Sequence, residues 1–410
     1  MRIGILSYFY PPEPAFIPGS LAEELAARGH EVRVLTGFPS YPAGRVYPGY
    51  RQRWSEEITT GGLTVRRVAR YPSHDASTVR RMASHASFAA STSLAAPRYF
   101  AGIDALYVYD APATAVAANA LLRLSRRVPT VVHVQDAWPR SMQTPPTSAT
   151  APPGRLATSG FAGALRRFYR STHGIAVSAP SMRELVVERG ADEQRVRLVL
   201  NWTDERIFRP ARASREARRA IGHRGRCTIM YAGNMGPYQR IETALRAAAT
   251  THSLFDLVLV GSGTEEKRAR RLCAELGATN VRFIGRRPAD EMADLYNAAD
   301  YQLVTMRDLP VLHGTVPSKV PAALSAGSPV VASAGGDTAD LIERGRAGLS
   351  CRPEDWRALA DRFALASAIP ARARQEMSER ARETYLRAMS LRSGVDQIEQ
   401  MLTEAAHSRR

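Results

Sequence analysis

The sequence predicts an α/β protein made of two successive doubly wound halves. Three observations carry this. Apolar, β-rich runs alternate with helix-period segments from end to end, the pattern of a parallel sheet covered on both faces. The alternation breaks once, over residues 201–226, and then starts again. The length, 410 residues, suits two or three domains.

In the first half, residues 3–7 read as a strand, 20–28 as a helix closed by Gly29, and 31–36 as the next strand. Strands at 64–68, 105–109, 130–134, 174–177 and 196–200 follow, with helices such as 113–126 and 181–189 between them. Residues 201–226 are polar, arginine-rich and broken at Pro210, which marks the connection. Beyond it lie strands at 227–231, 257–260, 281–284, 301–304 and 329–332. The helices between them are 240–249, 265–276, 289–298, 318–326 and 338–344, and the tail from Asp355 to about Ala406 is mostly helical. Two such halves are expected to bind ligand in a cleft where the carboxyl ends of both sheets face each other. The Pro/Thr/Ser/Ala/Gly segment 140–160 has the length of a lid or an insert. No internal repeat points to a solenoid.

Charge is unevenly placed. The chain carries 56 basic and 39 acidic residues, a net +17. Residues 1–226 hold 32 of the basic and 17 of the acidic ones, or +15, and only Lys267 and Lys319 are lysines. A basic half calls for an anionic neighbour: nucleic acid, an anionic membrane or a phosphorylated substrate. Nucleic acid is set aside, because no RNP, KH or zinc-finger spacing occurs and the arginines are spread over helices. Peripheral, salt-sensitive contact with an anionic membrane is expected. The longest apolar run, 111–122, is too short to span a bilayer, and the run at 3–6 before Pro11 and Pro12 is too short for a signal peptide. Cys227, Cys273 and Cys351 are far apart, which excludes a disulfide scaffold and a zinc ribbon and suits a cytoplasmic location.

Several chemistries are missing. There is no DxD, GxxxxGK[ST], GxSxG or HExxH, so no metal site and no Walker-type NTPase is expected. Other segments carry candidates. Gly19 and Ser20 are expected to open the first helix, offering an amide to a phosphate, or to form a plain strand–helix turn. Gly233 and Asn234 end the first strand of the second half, with Arg240 near the next helix, and Gly261 and Ser262 end the following strand. Glycines there leave room for a nucleotide, or serve ordinary loop chemistry. In His313–Lys319, Pro317 and Ser318 precede a helix of small residues; Ser318 reads as its N-cap, with Lys319 as a cation beside it. His133, Gln135, Asp136 and Trp138 cluster at a strand end, where a carboxylate would orient a sugar hydroxyl, act as a base, or merely cap the strand.

Together these residues resemble the retaining glycosyltransferases of family 4, with the GT-B fold. The resemblance rests on IGILSYFYPPE at 3–13, LAEELAARGHEV at 21–32, LTGFPSYP at 35–42 and VQDAWP at 134–139, then on 231–235, 257–263, 283–285 and Pro317-Ser318-Lys319. It covers roughly residues 1–390 and looks most like the branch that adds sugars, acetamido-fucosyl groups among them, to O-antigen and capsule precursors. The resemblance implies an acceptor domain over 1–205, with a helix at 390–406 packing back on it, and a nucleotide-sugar domain over 206–389. It implies Asp136, Lys319 and Arg240 as catalytic groups, with Gly19, Ser20, Gly233, Asn234, Gly261, Ser262, Pro317, Ser318 and Asp337 on the donor. His133, Gln135 and Trp138 would meet the acceptor, a glycan, polyprenyl-linked or soluble molecule. No cofactor is implied beyond the nucleotide-diphospho-sugar co-substrate, with UDP as the expected nucleotide.

The chain also departs from the family pattern. Two glutamates usually flank the Pro-Ser-Lys segment; here the positions hold Gly314 and Ala322. Pro237 replaces the usual cation, leaving Arg240 to substitute. Gln135 stands where many relatives have histidine, and Asp337 where glutamate is usual. The missing pair leaves a second reading, a non-catalytic homologue acting as a binding or partner subunit.

Overall fold

The computed structural model describes residues 1–73, 78–110, 128–135, 163 and 165–408. The segments expected as a helix at 113–126 and a loop at 140–160 lie outside them. Two compact units emerge: Met1–Leu200 with Gly394–Arg410, and Asn201–Ser393.

The first unit is built on strands β1 (Arg2–Ser7), β2 (Glu31–Gly37), β3 (Ser55–Thr60), β4 (Leu63–Val68), β5 (Ala105–Asp110), β6 (Thr130–Val134), β7 (Gly174–Val177) and β8 (Val196–Leu198). They lie in the order β3-β4-β2-β1-β5-β6-β7-β8. Every pairing is parallel except β3 with β4. β6 and β7 are buried at every residue, which is why they read as unbroken apolar runs rather than as alternation. β3 was not expected. Its sequence, SEEITT, is almost wholly exposed, so no apolar face announces it. The available signal was Gly61-Gly62 between two threonine-containing runs, with Gly61 at φ +57°, a tight hairpin turn.

Helix α1 (Phe16–Ala27) begins four residues before the expected start at Ser20. Pro18 is the third helical residue, where a backbone N–H has no partner to lose. α2 (Thr78–Tyr99) and α3 (Met182–Glu188) are further helices of this unit.

The second unit has six parallel strands: β9 (Cys227–Ala232), β10 (Phe255–Val260), β11 (Val281–Gly285), β12 (Tyr301–Thr305), β13 (Val330–Ser333) and β14 (Gly348–Cys351). Their order is β11-β10-β9-β12-β13-β14. β14 was also missed; it has four residues, all only partly buried. The helices are α4 (Arg215–Ala220), α5 (Ile241–Thr250), α6 (Glu266–Glu275), α7 (Ala289–Ala298), α8 (Pro310–His313), α9 (Lys319–Ser325), α10 (Gly336–Arg344), α11 (Trp356–Ala368) and α12 (Ala371–Ala388). α5 and α11 supply much of one apolar layer, where Phe255 and Phe363 meet with ring centroids 4.7 Å apart.

The last helix, α13 (Leu391–His407), joins the first unit from Gly394 onward. Arg28 pairs there with Asp396 (2.7 Å) and Glu399 (2.6 Å), and Arg197 with Glu404 (2.7 Å). No described helix is long and apolar enough to cross a membrane.

One buried pair joins three loops of the first unit. Arg70, just past β4, donates from Nε to the Phe38 carbonyl (3.0 Å) and from Nη1 to the Tyr8 carbonyl (2.9 Å). Its Nη2 meets Ser40 Oγ at 3.1 Å and the Glu13 carboxylate. Glu13 in turn accepts from the Ser40 and Tyr41 amides, each at 2.8 Å. The loops after β1, β2 and β4 are therefore held by one ion pair with both side chains almost wholly buried. Removing one partner strands the other's charge. Glu13→Gln should lower the unfolding free energy in urea by about 3–5 kcal/mol, and Glu13→Gln with Arg70→Met should recover part of the loss. A single-variant change below about 1 kcal/mol would contradict this account of the loops.

Candidate functional site

At the carboxyl end of the second sheet, the loops after β9 and β10 run backbone to backbone. The Gly233 N–H donates to the Val260 carbonyl and the Met235 N–H to the Ser262 carbonyl, both at 2.9 Å. A Cβ on Gly261 would stand 2.0 Å from the Gly233 oxygen, and one on Gly263 2.3 Å from the Met235 oxygen. Gly233 and Gly261 also sit at φ +140° and +126°, where side-chain-bearing residues are strained. Of the two roles expected for these glycines, the geometry displays the loop chemistry: they let the two loops approach one another. Asn234 belongs to the same turn, its carbonyl accepting from the Tyr231 hydroxyl.

Lys319, the first residue of α9, lies over this turn. A Cβ on Gly233 would meet its Cε at 2.7 Å and its Nζ at 2.9 Å. Its Nζ is 4.9 Å from the Tyr231 ring centroid, a cation–π contact. Burial lowers its pKa to about 8, because the charged form loses water. Among the described residues it has no carboxylate partner. Ser318 occupies the N-cap position, but its side chain makes no capping hydrogen bond, so the expected capping role is corrected.

The loop carrying Pro317 is pinned to α10. Thr338 Oγ1 donates to the Thr315 carbonyl at 2.7 Å, and a Cβ on Gly336 would stand 2.2 Å from the His313 oxygen. His313 Nε2 lies 2.8 Å from Asp308 Oδ1. Asp337 is buried in the first turn of α10. Gly314 ends α8, and Ala322 is buried on the inner side of α9 beside Val320, Pro321 and Ala323.

Arg240 differs from Lys319. It precedes α5 at φ +44° and pairs with Glu242 at 2.5 Å and with Glu354. Glu354 Oε2 also accepts from the Asp308 amide at 2.9 Å. The Arg240 charge is already met inside the fold, so of these two cations Lys319 is the one without a carboxylate partner among the described residues. Sequence reasoning missed Glu354, which lies over a hundred positions away along the chain and carries no local signal.

In the first unit, two expectations are corrected. Gly19 and Ser20 do not open α1; they lie inside it. Gly19 lets the helix approach Pro11, whose Cγ would stand 2.5 Å from a Cβ, and Ser20 Oγ donates back to the Phe16 carbonyl at 2.8 Å. Neither presents a free amide at a helix start. His133 is fully buried. Its Nε2 faces the Val199 carbonyl at 3.1 Å, which can only accept, so Nε2 carries the proton and Nδ1 accepts from the Tyr107 hydroxyl at 2.8 Å. Burial holds its pKa down to about 4. It is a neutral core histidine with both nitrogens used, not an acceptor ligand. Gln135 lies half-buried just past β6. Asp136 and Trp138 lie outside the described residues.

Two family models match the chain. "Glycosyl transferase 4-like domain" matches residues 17–202, and "Glycosyl transferases group 1" matches 214–384. WcaI of Escherichia coli (strain K12), whose name assigns it to colanic acid biosynthesis as a glycosyl transferase, is 27% identical over 82% of this chain and 83% of its own length. Among solved structures, sucrose-phosphate synthase from Thermosynechococcus elongatus aligns over 100% of both chains with TM-score 0.78 and 19% identity. HepE from Anabaena, solved with UDP and glucose, aligns over 98% of this chain and 99% of its own with TM-score 0.69 and 16% identity. At these identities the structural likeness speaks for fold.

The glycine contact has a measurable consequence. Gly261→Ala should destabilise the second unit by about 3 kcal/mol or more, since strain and a backbone clash add. Gly277→Ala, at φ +61° with nothing within 4 Å, should cost only about 1 kcal/mol. Equal losses in thermal or urea unfolding would refute the clash.

Proposed function

We propose a function on one premise: the chain belongs to the family 4 glycosyltransferases of GT-B fold. Its second unit takes a nucleotide-diphospho-sugar, with UDP as the nucleotide, and its first unit takes the acceptor. The sugar's bond to the diphosphate breaks as its bond to an acceptor oxygen forms on the same face. The acceptor proton passes to a donor phosphate oxygen, so configuration is retained and no metal takes part. Lys319 stabilises the charge that develops on the departing diphosphate. Pro317 and Ser318 shape the start of α9, Asp337 faces the donor sugar from α10, and Asp136, Gln135 and Trp138 serve the acceptor end.

The observation that carries this reading is Lys319. It is a partly buried cation without a carboxylate partner, set over a glycine turn at the carboxyl end of the sheet. Open α/β sheets bind ligands at that end. HepE was solved with UDP, which fits the choice of nucleotide.

We place the enzyme in the cytoplasm, in peripheral contact with an anionic membrane. Trp54 and Ile58 are exposed near Arg51 and Arg53, a basic and aromatic edge suited to a headgroup layer. Flotation with phosphatidylglycerol vesicles at low salt should carry the protein up, and no flotation would remove this part.

The second reading, a partner subunit without activity, is favoured by Gly314 and Ala322. Calorimetry separates the two: binding of no nucleotide-sugar supports the partner subunit. For an enzyme, Lys319→Ala should lower turnover by about 10²–10³. The pH dependence has a definite sign. Below about pH 8 the Lys319 ammonium is charged and holds UDP; above that it is neutral in the free protein. UDP affinity should fall roughly tenfold per pH unit on the alkaline side. Lys319→Arg should flatten that limb, because guanidinium stays charged. A limb unchanged in Lys319→Arg assigns it elsewhere.

A further inference from the structure

We propose that Arg67 is the centre of an oxyanion site in the first unit, built to take a phosphate group of the acceptor. This rests on the reading of that unit as the acceptor domain. Successive residues of a strand point to opposite faces, and the two arginines of β4 have different surroundings. Arg66 stacks on Tyr99 with its guanidinium carbon 4.3 Å from the ring centroid and pairs with Glu57 at 2.6 Å. Arg67, only 7% exposed, has no carboxylate partner among the described residues. Its Nη2 donates to the Pro11 carbonyl at 2.7 Å. Its Nε and Nη1 are buried with no partner.

The neighbouring groups extend this pattern. Pro11 follows β1, so the Arg67 side chain crosses β2 to reach it. Its register partner on β2 is Thr36, fully buried, whose Oγ1 also lacks a partner. The ring centroids of Tyr10 and Tyr50 lie 5.8 and 5.4 Å from the guanidinium carbon, cation–π contacts that carry no counter-charge. Arg70, three residues on and equally buried, has every nitrogen satisfied and Glu13 as counter-charge. The unit can thus pair a guanidinium fully at this end, and at Arg67 it does not.

A buried cation without a counter-charge is unfavourable, and so are buried donors without acceptors. The guanidinium nitrogens and the threonine hydroxyl all donate. The ligand that satisfies them together is anionic and rich in acceptor oxygens, which describes a phosphate. The site lies where β1, β2 and β4 end, the ligand end of the sheet. Tyr50 belongs to the segment 41–54, none of which is buried, so the Tyr50 side of the site adjoins the protein surface.

The test uses the full chain with saturating UDP, so that the donor site is filled. Inorganic phosphate is titrated at constant ionic strength while the thermal midpoint is followed, and vesicles containing phosphatidic acid form a second arm. A saturable rise in midpoint is expected, lost in Arg67→Met and kept in Arg66→Met, which removes the same charge from the other face. Without phosphate, Arg67→Met should be at least as stable as the parent; a purely structural Arg67 would instead lose stability. Should Arg67→Met fail to fold, Arg67→Lys should weaken phosphate at least about tenfold. A response to phosphate assigns a soluble phosphate. A response only to the vesicles, lost in Arg67→Met, assigns a lipid-borne one. The site is overturned if neither probe responds, or if the response survives in Arg67→Met. UDP affinity read on the same variants should not change, so a protein that binds phosphate at Arg67 but no UDP would fail the proposed function and not the site.

Discussion

The second unit depends on a backbone contact that only glycine allows. Where β9 and β10 end, two loops approach so closely that a single methyl group on Gly261 would overlap the Gly233 carbonyl. That contact sets the level of the turn on which the Lys319 side chain rests. At the far edge of the sheet the same constraint recurs, since a Cβ on Gly348 would stand 1.9 Å from the Val330 oxygen. Packing between main chains thus builds the platform, and one side chain gives it charge.

The cations at this end have different parts. Arg240 is tied to Glu242 and Glu354, and that network links the loops after β9, β12 and β14. Lys319 is left without a carboxylate among the described residues, at the cost of partial desolvation. A cation spent on holding loops together has little left for a ligand, whereas an unpaired one gains most when a diphosphate arrives. The absence of glutamate at Gly314 and Ala322 fits this division. Ala322 is packed inside α9, where a carboxylate would need a partner of its own.

Much of the fold was legible because its strands are short, apolar and separated by helices of ordinary length. The buried strands β6, β7, β9 and β12 declared themselves by composition. β3 and β14 did not, since an exposed or four-residue edge strand owes its existence to its neighbour rather than to its own pattern. α1 begins at Phe16, earlier than expected, with Pro18 inside its first turn, where proline is tolerated. The site was legible only in part. Lys319 stood out as one of two lysines. The burial of His133 and the loop staple of Glu13 and Arg70 depend on residues far apart in sequence, and no local spacing encodes them. The basic excess of the first half has also changed meaning. Arg28, Arg33, Arg66, Arg70 and Arg197 are all ion-paired, so much of it serves structure, and the unpaired Arg67 is the more informative charge.

The central claim is that a nucleoside diphosphate is held by Lys319 above the Gly233 turn. A crystal structure of the full chain with UDP tests it most directly. The account predicts a diphosphate oxygen about 2.7–3.2 Å from Lys319 Nζ, with the phosphates at the carboxyl ends of β9 and β10. UDP ordered elsewhere, with Lys319 Nζ still over Tyr231 and no phosphate within reach, would contradict it.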